Sequence, residues 1–172
     1  MEREEEHDDG EQISVIVFEV DQEQFAIDLL DVKEIIQTAQ IRRLPRSLDF
    51  IEGIFNYRGN IIHIINLKRK LKLENYKLYP SEEAMIEEDS SKKFIIIVNV
   101  EDTDIGFYVD KVINVRRVGL RKLVALGPIV QTNIENVDYI KGVIKFEDKP
   151  RIFIDLQKIL SESEQLLIQN NQ

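Results

Sequence analysis

The 172-residue sequence has no cysteine and no tryptophan, and only two histidines, four prolines and seven glycines. Without cysteine it can form no disulfide framework, thiolate zinc site, iron–sulfur cluster or cysteine nucleophile. The two histidines are His7, in an acidic tail, and His63, in an apolar run. Chemistry that needs neighbouring imidazoles therefore has no support. No apolar stretch approaches the roughly 20 residues of a membrane-spanning helix. The N-terminus is acidic, the reverse of a secretory leader. These absences describe a soluble chain of one domain, or two small ones, made in the cytoplasm.

Excess charge is also scarce outside two short segments. The chain carries 32 acids and 23 bases, a formal net charge of −9. Residues 1–11 hold seven acids and one base, and residues 81–93 hold five acids and two bases. The remainder has 20 of each sign. A neutral body argues against nucleic-acid binding, which draws its affinity from neutralised phosphates.

What is present is a β pattern. Ile13–Val20 is rich in β-branched residues, stops at Asp21–Gln24 and resumes at Phe25–Ile27, as a hairpin does. Asp28–Ile36 fits a helix and a strand equally. Asn60–Asn66 and Phe94–Val100 are near-continuous apolar strands, the first entered through a turn at Arg58–Gly59. Residues 72–93 have no periodicity and read as a flexible connection. From Asp155, a candidate cap, to about Ile168 the chain reads as a helix, with Leu156, Ile159, Leu160 and Leu167 near one face.

The sequence also repeats. Phe50–Leu71 aligns without a gap on Tyr139–Leu160, with Ile51/Ile140, Gly53/Gly142, Ile65/Ile154, Leu67/Leu156 and Leu71/Leu160 identical. Val15–Val32 aligns on Ile95–Val112, with Ile16/Ile96, Val20/Val100 and Val32/Val112 identical. Two blocks recur in the same order. A duplicated unit of several short strands suggests two small barrels with a binding groove between them.

Candidate chemistry is thin. His63 lies mid-strand between isoleucines, where a histidine is ordinarily packed rather than catalytic. Asp28 and Asp31 are close in sequence, but spacing alone makes no acid–base pair. Gly53, Gly59 and Gly106 fall on separate turns and do not form a phosphate cradle. The basic clusters Arg42–Arg43, Lys68–Lys70 and Arg116–Arg117 have two readings: phosphate contacts of a small-barrel nucleic-acid binder, or a solvated face balanced by acids. In Asn56-Tyr57-Arg58-Gly59, Gly59 supplies a positive φ for a tight turn. The repeat conserves the turn but not the charge, since Arg58 faces Glu147 in the alignment. An arginine on one turn only reads as a specific feature.

At these residues the chain resembles the CheW family of chemotaxis coupling proteins. The resemblance runs from about Val15 to Leu160. It is carried by Phe25–Asp28 with Val32–Ile35, by Leu44-Pro45, by Phe50–Gly59, by Ile105–Val112, by Tyr139–Val143 and by Ile154–Leu156. It implies a mainly β fold of two SH3-like five-stranded β-barrels related by a pseudo-twofold duplication, with a C-terminal helix. It also implies a non-catalytic adaptor without cofactors. Such an adaptor joins the cytoplasmic tips of methyl-accepting chemotaxis receptors to the regulatory domain of the CheA histidine kinase, in arrays at the membrane. Matched position by position, Val32, Gly53, Arg58, Phe94, Val112 and Val115 would meet the receptor, and Glu34 and Ile35 the kinase. His63 stands where the family usually has proline, and Asn66 where it usually has aspartate; the acidic connection is longer than is common. These departures leave open an adaptor of a related two-component pathway. The expected division is an acidic tail over 1–11, a first barrel over 12–77, a flexible acidic connection over 78–93, a second barrel over 94–154 and a helix over 155–168.

Overall fold

A computed structural model describes residues 10–37, 40–45, 48–72, 93–125 and 138–170. Most of the acidic tail and of the acidic connection lies outside the described residues. The described residues form eleven strands and two α-helices: β1 (Gln12–Val20), β2 (Glu23–Asp28), β3 (Val32–Gln37), β4 (Ile51–Tyr57), β5 (Asn60–Asn66), α1 (Leu67–Leu71), β6 (Phe94–Val100), β7 (Thr103–Val109), β8 (Lys111–Gly119), β9 (Leu123–Val124), β10 (Ile140–Lys145), β11 (Pro150–Ile154) and α2 (Glu162–Asn170). The segment that suited both helix and strand divides into a 3₁₀ turn at Leu29–Asp31 and strand β3. Asp28 caps the turn by accepting from the Leu30 amide at 2.9 Å.

The strands make two sheets, in the orders β8-β1-β2-β11-β10-β9 and β3-β6-β7-β5-β4. The expected division into contiguous barrels, 12–77 and 94–154, is therefore corrected. Hairpin β1–β2 belongs to the sheet built from the second half, and hairpin β6–β7 to the sheet built from the first. The cause lies in the pairing partners. β2 runs parallel to β11 (Phe25 opposite Ile152), and β5 runs parallel to β7 (His63 opposite Ile105). Those two pairings are equivalent under the repeat, so each half lends the other the same hairpin. Both lent hairpins turn through two residues of positive φ, Asp21 and Gln22 in one and Glu101 and Asp102 in the other. That is the backbone twist a two-residue hairpin favours.

The exchange explains the apolar runs. Ile16, Phe18 and Val20 on β1 and Ile96, Val98 and Val100 on β6 point into one core shared by the two sheets. The alternate residues Val15 and Val17 line the first barrel, with Ala26, Ile144 and Phe153. Ile95 and Ile97 line the second, with Ile62 and Ile64. Strands buried on both faces read as continuous rather than alternating. Each such side chain contributes roughly 1.5–3 kcal/mol on burial.

Gly53 and Gly142 hold the barrels closed. A Cβ on Gly53 would lie 2.2 Å from the Arg42 carbonyl oxygen, and one on Gly142 would lie 2.5 Å from that of Val124. Arg42 exchanges backbone hydrogen bonds with Ile54, at 2.9 and 2.8 Å. Val124 on β9 pairs with Val143 on β10. In each barrel the closing segment thus crosses directly over the glycine of the repeat.

The C-terminal expectation is also corrected. Asp155 caps only a 3₁₀ turn, Leu156–Lys158, accepting from the Gln157 amide at 2.9 Å. Helix α2 starts later, at a capping box: Ser161 Oγ accepts from the Glu164 amide at 3.2 Å, and Glu164 Oε1 accepts from the Ser161 amide at 2.9 Å. Leu156, Ile159 and Leu160 are buried as expected, but Leu167 is half exposed and Ile168 takes the inward place.

Candidate functional site

The tip of hairpin β4–β5 is built by local rules. Arg58 and Gly59 adopt φ of 50° and 86°, and the Gly59 amide donates to Asn56 Oδ1 at 3.0 Å. The turn buries the side chain of Tyr57 and projects that of Arg58, which is 73% exposed. A register shift lies between Val32 and Glu34 on the neighbouring β3. It leaves Val32 and Ile35 opposite Val98 and Ile96, on the shared-core face, and turns Glu34 toward the inside of the second barrel.

Glu34 meets the hairpin there. Its Oε2 accepts from the Tyr57 hydroxyl and lies 3.0 Å from Arg58 Nη2. The Arg58 guanidinium lies 5.3 Å from the centre of the Tyr57 ring, and the Lys33 ammonium 5.9 Å. Lys33 is held in turn by Asp104, at 2.7 Å. The hydrogen bond to the Glu34 carboxylate is the main cause raising the Tyr57 phenol above its ordinary value. The bond to Asp104 chiefly raises the Lys33 ammonium.

The structure unites Glu34 and Arg58, to which the family resemblance gives different partners, in one ion pair. The remaining predicted residues divide between the sheets. Val32, Ile35 and Phe94 are half-buried at the edge of the shared core on the second barrel. On the first, Val112 is half-buried opposite Phe18, and Val115 is 57% exposed opposite Ile16. The repeat relates Val32 to Val112 and Ile35 to Val115. Gly53 is buried beneath Arg42 and presents no side chain to a partner.

Two features escaped sequence reasoning. One is Leu30, 91% exposed on the turn before β3. The other is Tyr57, whose signal was available: its repeat counterpart is Phe146, which keeps the ring and lacks the hydroxyl.

His63 is buried between Ile54 and Ile105, its Nδ1 has no hydrogen-bond partner, and burial lowers its pKa from the usual 6.5. Among the described residues, no three of His, Asp and Glu are placed to hold a metal, and no helix is long and apolar enough to cross a membrane. Members of two of the basic clusters are engaged with acids, Lys68 with Asp21, Lys70 with Glu164 and Arg116 with Asp148, at 3.5, 3.0 and 3.5 Å. That favours the balanced face over the phosphate-contact reading.

Comparison with known proteins gives one consistent result. The family model of the CheW-like domain matches residues 14–164. The chemotaxis protein CheW of Treponema pallidum (strain Nichols) is 32% identical over 154 residues, covering 90% of this chain and 85% of the relative. The chemotaxis protein CheA of Bacillus subtilis (strain 168) is 29% identical over 111 residues, covering 64% of this chain and 15% of CheA. The crystal structure of the scaffolding protein TtCheW from Thermoanaerobacter tengcongensis superposes with a TM-score of 0.70 at 28% identity, covering 87% of this chain and 92% of that one.

Proposed function

The chain belongs to the CheW-like domain family of chemotaxis coupling scaffolds, and from that premise we propose that it acts in the cytoplasm without catalysis, joining the signalling tips of chemoreceptors to the regulatory domain of CheA. The observation that carries this reading is the Arg58 tip. A charged, directional group stands 73% exposed on a tight two-residue turn, while its backbone is fixed and its neighbour Tyr57 is buried. A guanidinium so placed offers several donors to a carboxylate or carbonyl of a partner. The half-buried valines of both sheets, Val32 and Val112, and the exposed Val115 supply apolar surface.

The test is capture of purified chain by a receptor signalling-tip fragment and by the CheA regulatory domain, separately and together. Joint capture of both, with receptor-dependent control of phosphorylation restored, is the expected result. Failure to bind the kinase domain would sink the reading. Tight binding to nucleic acid that falls steeply with salt would replace it.

A further inference from the structure

We propose that Tyr57 is the positioning residue of the coupling site: it holds Arg58 and Glu34 in the arrangement a partner meets. The inference rests on the adaptor reading above and names the part of the site that organises it.

An exposed arginine paired with one carboxylate is poorly held, because water competes for the pair and the long side chain retains its rotamers. Tyr57 changes this in two ways. Its ring is 6% exposed and packs with Ile62, Ile64, Ile95 and Ile97, so it does not move with the surface. The Arg58 guanidinium lies 5.3 Å from the centre of that fixed ring. Its hydroxyl, meanwhile, donates to the same Glu34 oxygen that faces Arg58. The hydroxyl fixes the carboxylate, and the carboxylate and the ring together fix the guanidinium.

The repeat separates this role from packing. At the equivalent place in the other barrel Phe146 is also buried, and Arg116 and Arg151 lie 4.5 and 4.9 Å from its ring. A ring alone satisfies that barrel. The Tyr57 hydroxyl is surplus to packing and is used on Glu34. It also bears on the bound state. When Arg58 turns to an acceptor on the partner, a carboxylate or a main-chain carbonyl, Glu34 keeps the Tyr57 bond and is not stripped of all its donors. A preorganised arginine loses less freedom on binding than a free one.

Tyr57→Phe removes the hydroxyl alone. Thermal unfolding should shift by less than about 2 °C. The affinity for a receptor signalling-tip fragment should fall by about 3- to 10-fold. In an Arg58→Ala background the same substitution should change that affinity less than about twofold, because its effect passes through the arginine. Equal loss in both backgrounds, or no loss in either, overturns the proposal. A partner-free measurement tests positioning even if the adaptor reading fails. NMR relaxation of the Arg58 Nε–Hε group should report an ordered side chain in the parent and a freely averaging one in Tyr57→Phe. An equally mobile Arg58 in both proteins removes the role. A parent chain that orders Arg58 yet binds neither receptor fragment nor kinase domain would instead defeat the function and leave the geometry standing.

Discussion

The hairpins β4–β5 and β10–β11 occupy equivalent places in the repeat, yet their arginines are used in opposite ways. In the first, Arg58 stands out in solvent with one ion pair to Glu34. In the second, Arg151 is 6% exposed, donates from Nε to Gln24 at 2.9 Å and forks onto Asp148 at 2.9 and 2.8 Å. Gln24 lies on β2, so Arg151 ties the hairpin lent by the first half to the barrel of the second. The difference teaches where a duplicated fold keeps its strength and where it is free to bind. One tip is committed to the molecule's own framework, and the other keeps its donors available.

The comparison breaks first at what the tips share. Gly53→Ala and Gly142→Ala should each destabilise by about 2–3 kcal/mol, since a methyl group would enter a backbone carbonyl at both sites. For a chain of this size the thermal midpoint should drop by about 5–10 °C. Gly142 adds a φ of 152°, which side chains rarely adopt. An unchanged midpoint in either variant would mean that its closing segment yields freely.

Arg151→Met should cost about 2 kcal/mol in urea unfolding at neutral pH, as the buried bond to Gln24 is lost. It should also alter the acid limb. The hydrogen bond from Arg151 is the main cause holding the Asp148 carboxyl well below its usual 3.8. A depressed carboxylate stabilises the fold above its unfolded value, and that contribution fades as pH falls through the folded value. The parent should therefore lose more stability than Arg151→Met between pH 5 and 3. Parallel curves would mean the pair is no anchor.

His63 sharpens the contrast, because its repeat counterpart is Ile152. Burial depresses the imidazole, so the unfolded chain binds a proton near pH 6.5 while the folded chain does not. Stability should then decline as pH is lowered from 7.5 toward 5, and His63→Ile should lack that component. Melts of both proteins across this range decide it; identical slopes would show that His63 does not titrate differently on folding. The smallest effect belongs to Arg58→Ala, which should change stability by about 0.5 kcal/mol or less while abolishing receptor control of the kinase. A melt several degrees lower would place Arg58 with Arg151, as framework.

Much of this was legible in the sequence. β5 and β6 coincide with the expected strands, because runs such as Asn60–Asn66 admit no other element. The repeat identified Gly53 and Gly142 as equivalent before any contact was known. The strand exchange was not legible. An alignment of two halves fixes which strands correspond, but β1 has the same side chains whichever half it pairs with. The start of α2 was missed for a different reason: Asp155 and Ser161 are both good caps, and burial of Leu156, Ile159 and Leu160 in the shared core decides between them. At the site, Arg58 stood out by its charge. Its link to Glu34 depended on a register shift in β3 that no residue type announces.

The exchanged hairpins also set an order of events during synthesis. Gln24 meets Arg151 across 127 residues of chain. The second barrel needs nothing beyond β7 and can close once that strand has left the ribosome. The first barrel cannot close until β11 appears, so β1 and β2, apolar on both faces, wait exposed until then. Contacts this distant in sequence slow folding and prolong the exposure of sticky strands. The nascent chain is thus most vulnerable to misassociation at its first hairpin, and a holding chaperone would find its longest-lived target there.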